Sequence, residues 1–349
     1  MIPLHMVQKS MKSFKVLKKR KEKGSLMSDW TKICSILAES KEAIILVHEK
    51  ADGDCLGSAL ALAFSLHELG MKPVIYYPEE IPLVYRFLPG TEMLKIKAPG
   101  SLPESIPVIA VDCADKKRVV YDIPTNSPII NIDHHVSNDY FGTYNIVDTD
   151  AAAAGEIIYR ILKDGGVRIS PDMATCLYVA ISTDTGSFSY SNITSETMKI
   201  ASELLELGSD MNLIRENLYE KRPLSELLTI KAALANFCIS EDGKLINCLL
   251  DFDTLNKDEL IGADTDGLIG LLRATDGVEV ALIFKEIEIG NVKVSLRSKS
   301  YVDVNIIARE FGGGGHSRAA GCTIKGNIHE IKDNVLKMVT PYLTGGINK

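Results

Sequence analysis

The chain has 349 residues, 46% of them apolar, which suits two globular domains and excludes a short peptide or a low-complexity segment. No run of 18 apolar residues occurs, so no membrane span is expected; the seven cysteines are scattered, odd in number and never in CxxC spacing, which argues against a disulfide framework or zinc knuckle and fits a reducing cytoplasm. Net charge is −7, but residues 1–24 carry +7, so the rest holds −14, too acidic for a general coat on nucleic-acid phosphates.

Residues 1–27 form a basic extension that reads as a tether, a targeting peptide or, more simply, a disordered or artefactual stretch from an upstream start, with the natural start near Met27. Residues 44–48 then read as a buried strand and 55–69 as a helix with apolar residues at helical spacing. Strands follow at 74–77, 108–112 and 129–133, and helices at 151–162 and 171–181, the last with Pro171 in its first turn. This alternation predicts an α/β fold, with an N-terminal α/β/α domain over 28–222 built on a parallel sheet covered on both faces. Helices continue over 195–207 and 213–219, and one over 225–237 reads as a linker within 223–240. Beyond it come strands at 245–252, 280–289 and 292–297, the last two joined by the hairpin signal Gly290-Asn291. A helix over 302–310, four glycines, a short strand at 322–324 and a helix over 328–343 complete a smaller α/β domain with a mixed sheet over 241–349.

Acids and histidines fall at the ends of these strands. His48, Asp52 and Asp54 follow the first, Asp112 ends the third, and Asp133-His134-His135 ends the fourth, while Asp184 lies beyond the helix that starts at Pro171. In an open parallel sheet, ligands bind beyond the carboxyl ends of the strands, so separate segments deliver polar groups to one edge. Two carboxylates ~4 Å apart repel by roughly 4 kcal/mol at an effective dielectric near 20, and several crowded together take up protons unless cations neutralise them. Asp52, Asp54, Asp112 and Asp184 match the charge of two divalent ions. Carboxylate with imidazole and no thiolate favours Mn²⁺, with Mg²⁺ or Co²⁺ as alternatives. Two such ions ~3.5–4 Å apart activate a water and stabilise the attacking and leaving oxygens of a phosphoryl group.

Taken singly, these residues have plainer readings: His48 as a satisfied strand-end histidine, Asp52-Gly53-Asp54 as a turn, Asp112 as a helix cap. Asp133-His134-His135 is harder to explain so, because three titratable residues ending one strand need partners. His5, His67 and His329 read as solvated. In the second half, Arg297-Ser298 ends a hairpin strand, and Gly312-Gly313-Gly314-Gly315 leads into His316. Four glycines are often a flexible linker. Placed between a helix and a strand, they predict instead a backbone loop that approaches a ligand, with Arg297 and His316 suited to phosphate.

With these residues laid out, the chain resembles the DHH phosphoesterase family. Its name is the Asp133-His134-His135 triplet; His48-x-x-x-Asp52-Gly53-Asp54-x-x-Gly57-Ser58, Val111-Asp112 and Asp184-Thr185-Gly186 resemble its other motifs, and the glycine run with His316 resembles the DHHA1 domain. Ala51 stands where many relatives carry proline, which touches loop stiffness and no ligand. The resemblance implies that His48 and Asp52 ligate one ion, that Asp54, His134 and Asp184 ligate the other, and that Asp112 bridges both. It implies further that His135 faces the reacting phosphate, that Asp133 orients the triplet, and that Arg297, Ser298, Gly313, Gly314, Gly315 and His316 bind substrate. The branch resembled is that of nano-RNases and 3′-phosphoadenosine 5′-phosphate phosphatases. It implies short single-stranded oligonucleotides or nucleotide bisphosphates as substrates, and a homodimer. Alternatives left open are a phosphodiesterase for linear or cyclic dinucleotide messengers (pApA, c-di-AMP) and a non-catalytic nucleotide-binding regulator.

Overall fold

In the computed structural model, residues 29–37, 40–97, 100–221, 224–255 and 266–343 are described, without the side chains of Asp266 and His316; the basic extension over 1–27 lies outside these residues. Two compact units divide after Lys221.

The first unit runs α1 (Asp29–Leu37), β1 (Glu42–Leu46), α2 (Gly53–Glu68), β2 (Lys72–Tyr77), β3 (Leu94–Ile96), β4 (Val108–Val111), β5 (Ile129–Asp133) and β6 (Tyr144–Val147). Helices α3 (Ala154–Asp164), α4 (Pro171–Asp184), α5 (Ser195–Glu206) and α6 (Met211–Ile214) follow, and a single π turn, Arg215–Tyr219, ends it. The six strands are all parallel, in the order β3-β2-β1-β4-β5-β6. Side chains alternate across the pleat. Ile45, Val47, Ile109, Val111, Ile130 and Ile132 pack with the buried faces of α1 to α4, whereas Ile44, Leu46, Val108 and Ala110 lie under Leu102, Val119, Tyr121 and Ile123. The second face is therefore covered by an irregular segment where a helix layer was expected. Its prolines, Pro124 and Pro128, break helical continuation before β5.

Local chemistry sets the helices that matter for the site. Asp52 caps α2, its carboxylate accepting from the Cys55 N–H at 3.0 Å. Ser170 caps α4 and Pro171 fills its first turn. Gly57 lets these two helices cross closely, since a Cβ there would stand 2.3 Å from the Cys176 carbonyl oxygen. Strands β3 and β6 were invisible as apolar runs: both are short edge strands with mostly half-buried or exposed side chains.

The second unit runs α7 (Leu224–Ala235), β7 (Phe237–Ile239), β8 (Leu245–Leu250), α8 (Phe252–Leu255), α9 (Asp266–Ala274), β9 (Val280–Glu288) and β10 (Asn291–Ser298). It continues with α10 (Val304–Glu310), β11 (Gly314–His316), β12 (Ala319–Lys325) and α11 (Ile328–Leu343). Its sheet is mixed, β11-β12-β10-β9-β8-β7, with only the β8–β9 pair parallel. The hairpin at Gly290 forms as its sequence predicts, with φ of 75° at that glycine. The helix expected over 225–237 stops at Ala235, and Phe237 instead starts the edge strand β7. One sheet face packs Leu282, Phe284, Val294 and Leu296 with α10 and α11; the other packs Ile246, Cys248, Ala281 and Ile283 with α9 and Ala233.

Candidate metal centre

Strand order reverses direction of growth between β1 and β4, the switch point at which open α/β sheets bind ligands. Just beyond it, His48 Nε2 lies 3.4 Å from Asp112 Oδ2. From the next strand, His134 Nε2 stands 3.5 Å from Asp112 Oδ1, 3.5 Å from Asp184 Oδ2 and 3.8 Å from Asp54 Oδ2. His135 Nδ1 is 3.5 Å from Asp112 Oδ1 and 2.7 Å from Asp133 Oδ1. Segments far apart in sequence thus converge on Asp112.

Each group is held from behind. The His48 Nδ1–H donates to the Glu49 carbonyl at 2.8 Å, and the His134 Nδ1–H to that of Ala151 at 3.3 Å, which leaves both Nε2 lone pairs toward the acids. Asp54 accepts from the Ala154 and Gly155 N–H groups at 2.7 and 2.9 Å and from Ser58 Oγ at 2.9 Å. It therefore sits at the positive N-terminus of α3. Asp133 accepts from Asn138 Nδ2, which also donates to Asn131, so the carboxylate that orients His135 is itself fixed. Asp112 takes φ of 57°, a left-handed conformation unusual for a side-chain-bearing residue, and aims its carboxylate into the cluster.

The electrostatics are those of a cage for cations. Burial, then repulsion from Asp54, Asp52 and Asp184, pushes the Asp112 carboxyl well above the usual range. Asp54 is raised by burial too, against the pull of His134, and Asp184 is pushed up to about 7 by burial and by Asp54. Burial acts to lower His134, but the charges of Asp54, Asp112, Asp184 and Asp133 outweigh it and raise the imidazole to about 9. Asp133 differs: burial would raise it, yet the His135 hydrogen bond leaves it below the ordinary value. Asp112 Oδ1 is buried without a hydrogen-bond partner. An unpartnered acceptor amid carboxylates and imidazoles of one sheet edge fits a divalent cation, which supplies the missing positive charge without a donor's geometry.

Ligand atoms lie within 4.8 Å of one another in three groups: His48 with Cys55 and Asp112, Asp112 with His134 and His135, and Asp54 with His134 and Asp184. Asp52 belongs to none of these; its carboxylate caps α2 while its charge still raises Asp54, Asp112 and Asp184. Cys55 was missed from sequence. Its thiol donates to the Val111 carbonyl and burial raises it well above its ordinary value, so it is chemically a core group beside the acids. Asn138 and Gly155 were missed as well, and Ser58, which closes the first motif, was given no role. A capping-like signal existed only for Ser58, one helical turn after Asp54.

In the second unit, Gly312 and Gly313 lie in the turn after α10, and Gly314 and Gly315 open the short strand β11. Gly314, Gly315 and His316 pair with Gly321, Ala320 and Ala319. A Cβ on Gly313 would meet the Gly321 carbonyl oxygen at 2.2 Å, and one on Gly315 the Ala319 carbonyl oxygen at 2.4 Å. The close approach that demands glycine is to the chain's own β12. Arg297 is half-buried with Nη1 donating to the Leu296 carbonyl at 3.2 Å. The Ser298 hydroxyl is buried and donates to the Val302 carbonyl at 2.6 Å, and Arg318 donates to the same carbonyl at 2.7 Å. The His316 side chain lies outside the described residues.

A parallel sheet with acids and imidazoles gathered at its switch point defines the class, and family comparison agrees. The family model described as "DHH family, N-terminal domain" matches residues 42–181 and that of the "DHHA1 domain" residues 244–344; the chain belongs to the DHH family. A curated relative from Thermus thermophilus, named bifunctional oligoribonuclease and PAP phosphatase NrnA, is 33% identical across 90% of this chain and 95% of its own length. One of the same name from Bacillus subtilis is 30% identical across 79% of this chain and 87% of its own. The crystal structure of an exopolyphosphatase-related protein from Bacteroides fragilis shares the fold, with a TM-score of 0.81 at 24% identity over 90% of this chain and 97% of that one.

Proposed function

We propose that this chain is a divalent-metal-dependent phosphoesterase that hydrolyses short oligoribonucleotides to mononucleotides, removes the 3′-phosphate of 3′-phosphoadenosine 5′-phosphate, or does both. The observation that carries this reading is the buried Asp112 carboxylate, one oxygen unpartnered, ringed by His48, His134 and His135. The names of the Thermus and Bacillus relatives supply the substrate class.

In this reading His48 and Asp52 would hold one ion, Asp54, His134 and Asp184 would hold the other, and Asp112 would serve both. Mn²⁺ is the proposed metal, with Mg²⁺ and Co²⁺ able to replace it. Bound ions would supply Lewis acidity and lower the pKa of water. The protein's own part is to position. Asp133 fixes the His135 ring against the reacting phosphate, and the carbonyl contacts behind His48 and His134 fix their tautomers. Arg297 and His316 take the phosphate end of the substrate. Gly313, Gly314 and Gly315 present backbone there, and the Ser298 hydroxyl, donating to Val302, pins the Arg297 strand end.

Among the described residues no helix is long and apolar enough to cross a membrane. A cytoplasmic location is proposed from the seven free cysteines, six of them buried. A homodimer is proposed on the resemblance alone, and sedimentation of the purified protein tests it.

The test of function is a substrate panel with Mn²⁺: adenosine bisphosphate, di- to pentaribonucleotides, linear and cyclic diadenylate, pyrophosphate and a long single strand. Turnover of the short ribonucleotides or the bisphosphate, abolished by chelator, is the expected outcome. Chelator-resistant turnover contradicts the metal mechanism, and preference for the long strand contradicts the substrate class.

A further inference from the structure

At the rim of the acidic cluster stands an arginine, Arg118, that neither motif nor comparison assigns. After Asp112 the chain makes a tight turn, Asp115-Lys116-Lys117-Arg118, in which the Asp115 carboxylate accepts from the Lys117 and Arg118 N–H groups at 2.8 and 3.0 Å. Val119 and Tyr121, both buried, anchor the turn from below, against the sheet face opposite the helices. Arg118 is exposed, yet its guanidinium folds back toward the cluster: Nη1 lies 3.5 Å from His135 Nε2. Among the described residues it forms no ion pair, although acids crowd this edge of the sheet. An arginine held beside the site and left unneutralised is suited to an anion that arrives with the substrate.

Resting on the phosphoesterase reading above, we propose that Arg118 is a phosphate-binding residue that grips a non-bridging oxygen of the reacting phosphate. The turn makes this possible by geometry. The 3.5 Å between Arg118 Nη1 and His135 Nε2 lets one oxygen contact both, so the two side chains can form one clamp. Asp133 fixes the imidazole half, and the Asp115 turn fixes the guanidinium half. Lys116 and Lys117, exposed on the same turn, extend the positive rim toward a neighbouring phosphate of an oligonucleotide.

The experiment pairs kinetics with binding of AMP to the Mn²⁺-loaded full chain, for wild type, Arg118→Ala and Arg118→Lys. Arg118→Ala is expected to raise KM and to weaken AMP binding by about tenfold or more, the size of a lost charge-assisted contact. Its melting temperature and Mn²⁺ stoichiometry are expected to match wild type, because the side chain is exposed. Arg118→Lys is expected to restore part of the AMP affinity but not all, since the bidentate fork is lost. Unchanged KM and AMP affinity in Arg118→Ala overturn the proposal, as does a loss that tracks lowered melting temperature or lost Mn²⁺. Should wild type turn over none of the phosphate esters while AMP binding still depends on Arg118, the phosphoesterase reading fails and the phosphate contact stands.

Discussion

Each unit of the molecule buries a carboxylate almost completely, and the two are treated in opposite ways. Glu279, 4% exposed in the second unit, accepts from the Ser300, Tyr301 and Val302 N–H groups and from the Ser300 hydroxyl. Although burial would raise it, those donors leave its carboxyl below the ordinary value. Asp112, 3% exposed in the first unit, has an oxygen with no hydrogen-bond donor, and burial with neighbouring acids raises it well above. Burial is the same; the supply of donors differs. A satisfied buried acid is a structural pin that ties a loop to a sheet, whereas an unsatisfied one among other acids is suited to holding a cation.

The comparison breaks first at Asp112. Asp112→Asn is expected to cut Mn²⁺-dependent turnover by about a thousandfold or more, because the residue would serve both ions. The same variant, free of metal and at pH 8, is expected to melt higher than metal-free wild type, since the cost of burying a carboxyl among other acids has been removed. A lower melting temperature would show that the carboxylate is structural. The opposite is expected of Glu279→Gln, a smaller effect measured by denaturant titration: a loss of about 1–2 kcal/mol at pH 7 as a charged acceptor is weakened. Because the folded pKa of Glu279 lies below its unfolded value, its stabilisation is present above the ordinary carboxylate range and lost as pH falls through the folded value. The gap between Glu279→Gln and wild type should therefore close in acid. A gap that is unchanged by pH would mean that charge plays no part.

What could be read from sequence follows the same physics. The buried strands β1, β4 and β5 announce themselves as apolar runs, and a polar residue directly after such a run has few places to point but the sheet edge. That is why His48, Asp112 and Asp133-His134-His135 were legible. Asp54 and Asp184 needed the helices to be placed, and their gathering around His134 is a tertiary fact. The supports were not legible: the Ala154 and Gly155 N–H groups reach Asp54 across 100 residues of sequence, and Asn138 acts only because of where β5 ends. For Gly313 and Gly315 the partner of the close approach was not legible either. Sequence shows that a backbone must come close to something, and the structure shows that the something is β12. The cover of the second sheet face was missed because an irregular segment has no period to detect.

Melting of the protein against pH tests most directly whether bound cations balance the cluster at the switch point. Asp184 at about 7, His134 at about 9, and Asp54 and Asp112 all titrate higher when folded than when unfolded. Their stabilisation is thus full below the unfolded values and lost as pH rises through the folded ones. Metal-free protein should melt progressively lower from pH 5 to pH 9, and Mn²⁺ should restore it by an amount that grows over the same range as the ligands deprotonate. A melting temperature that ignores Mn²⁺ throughout that range would contradict the account.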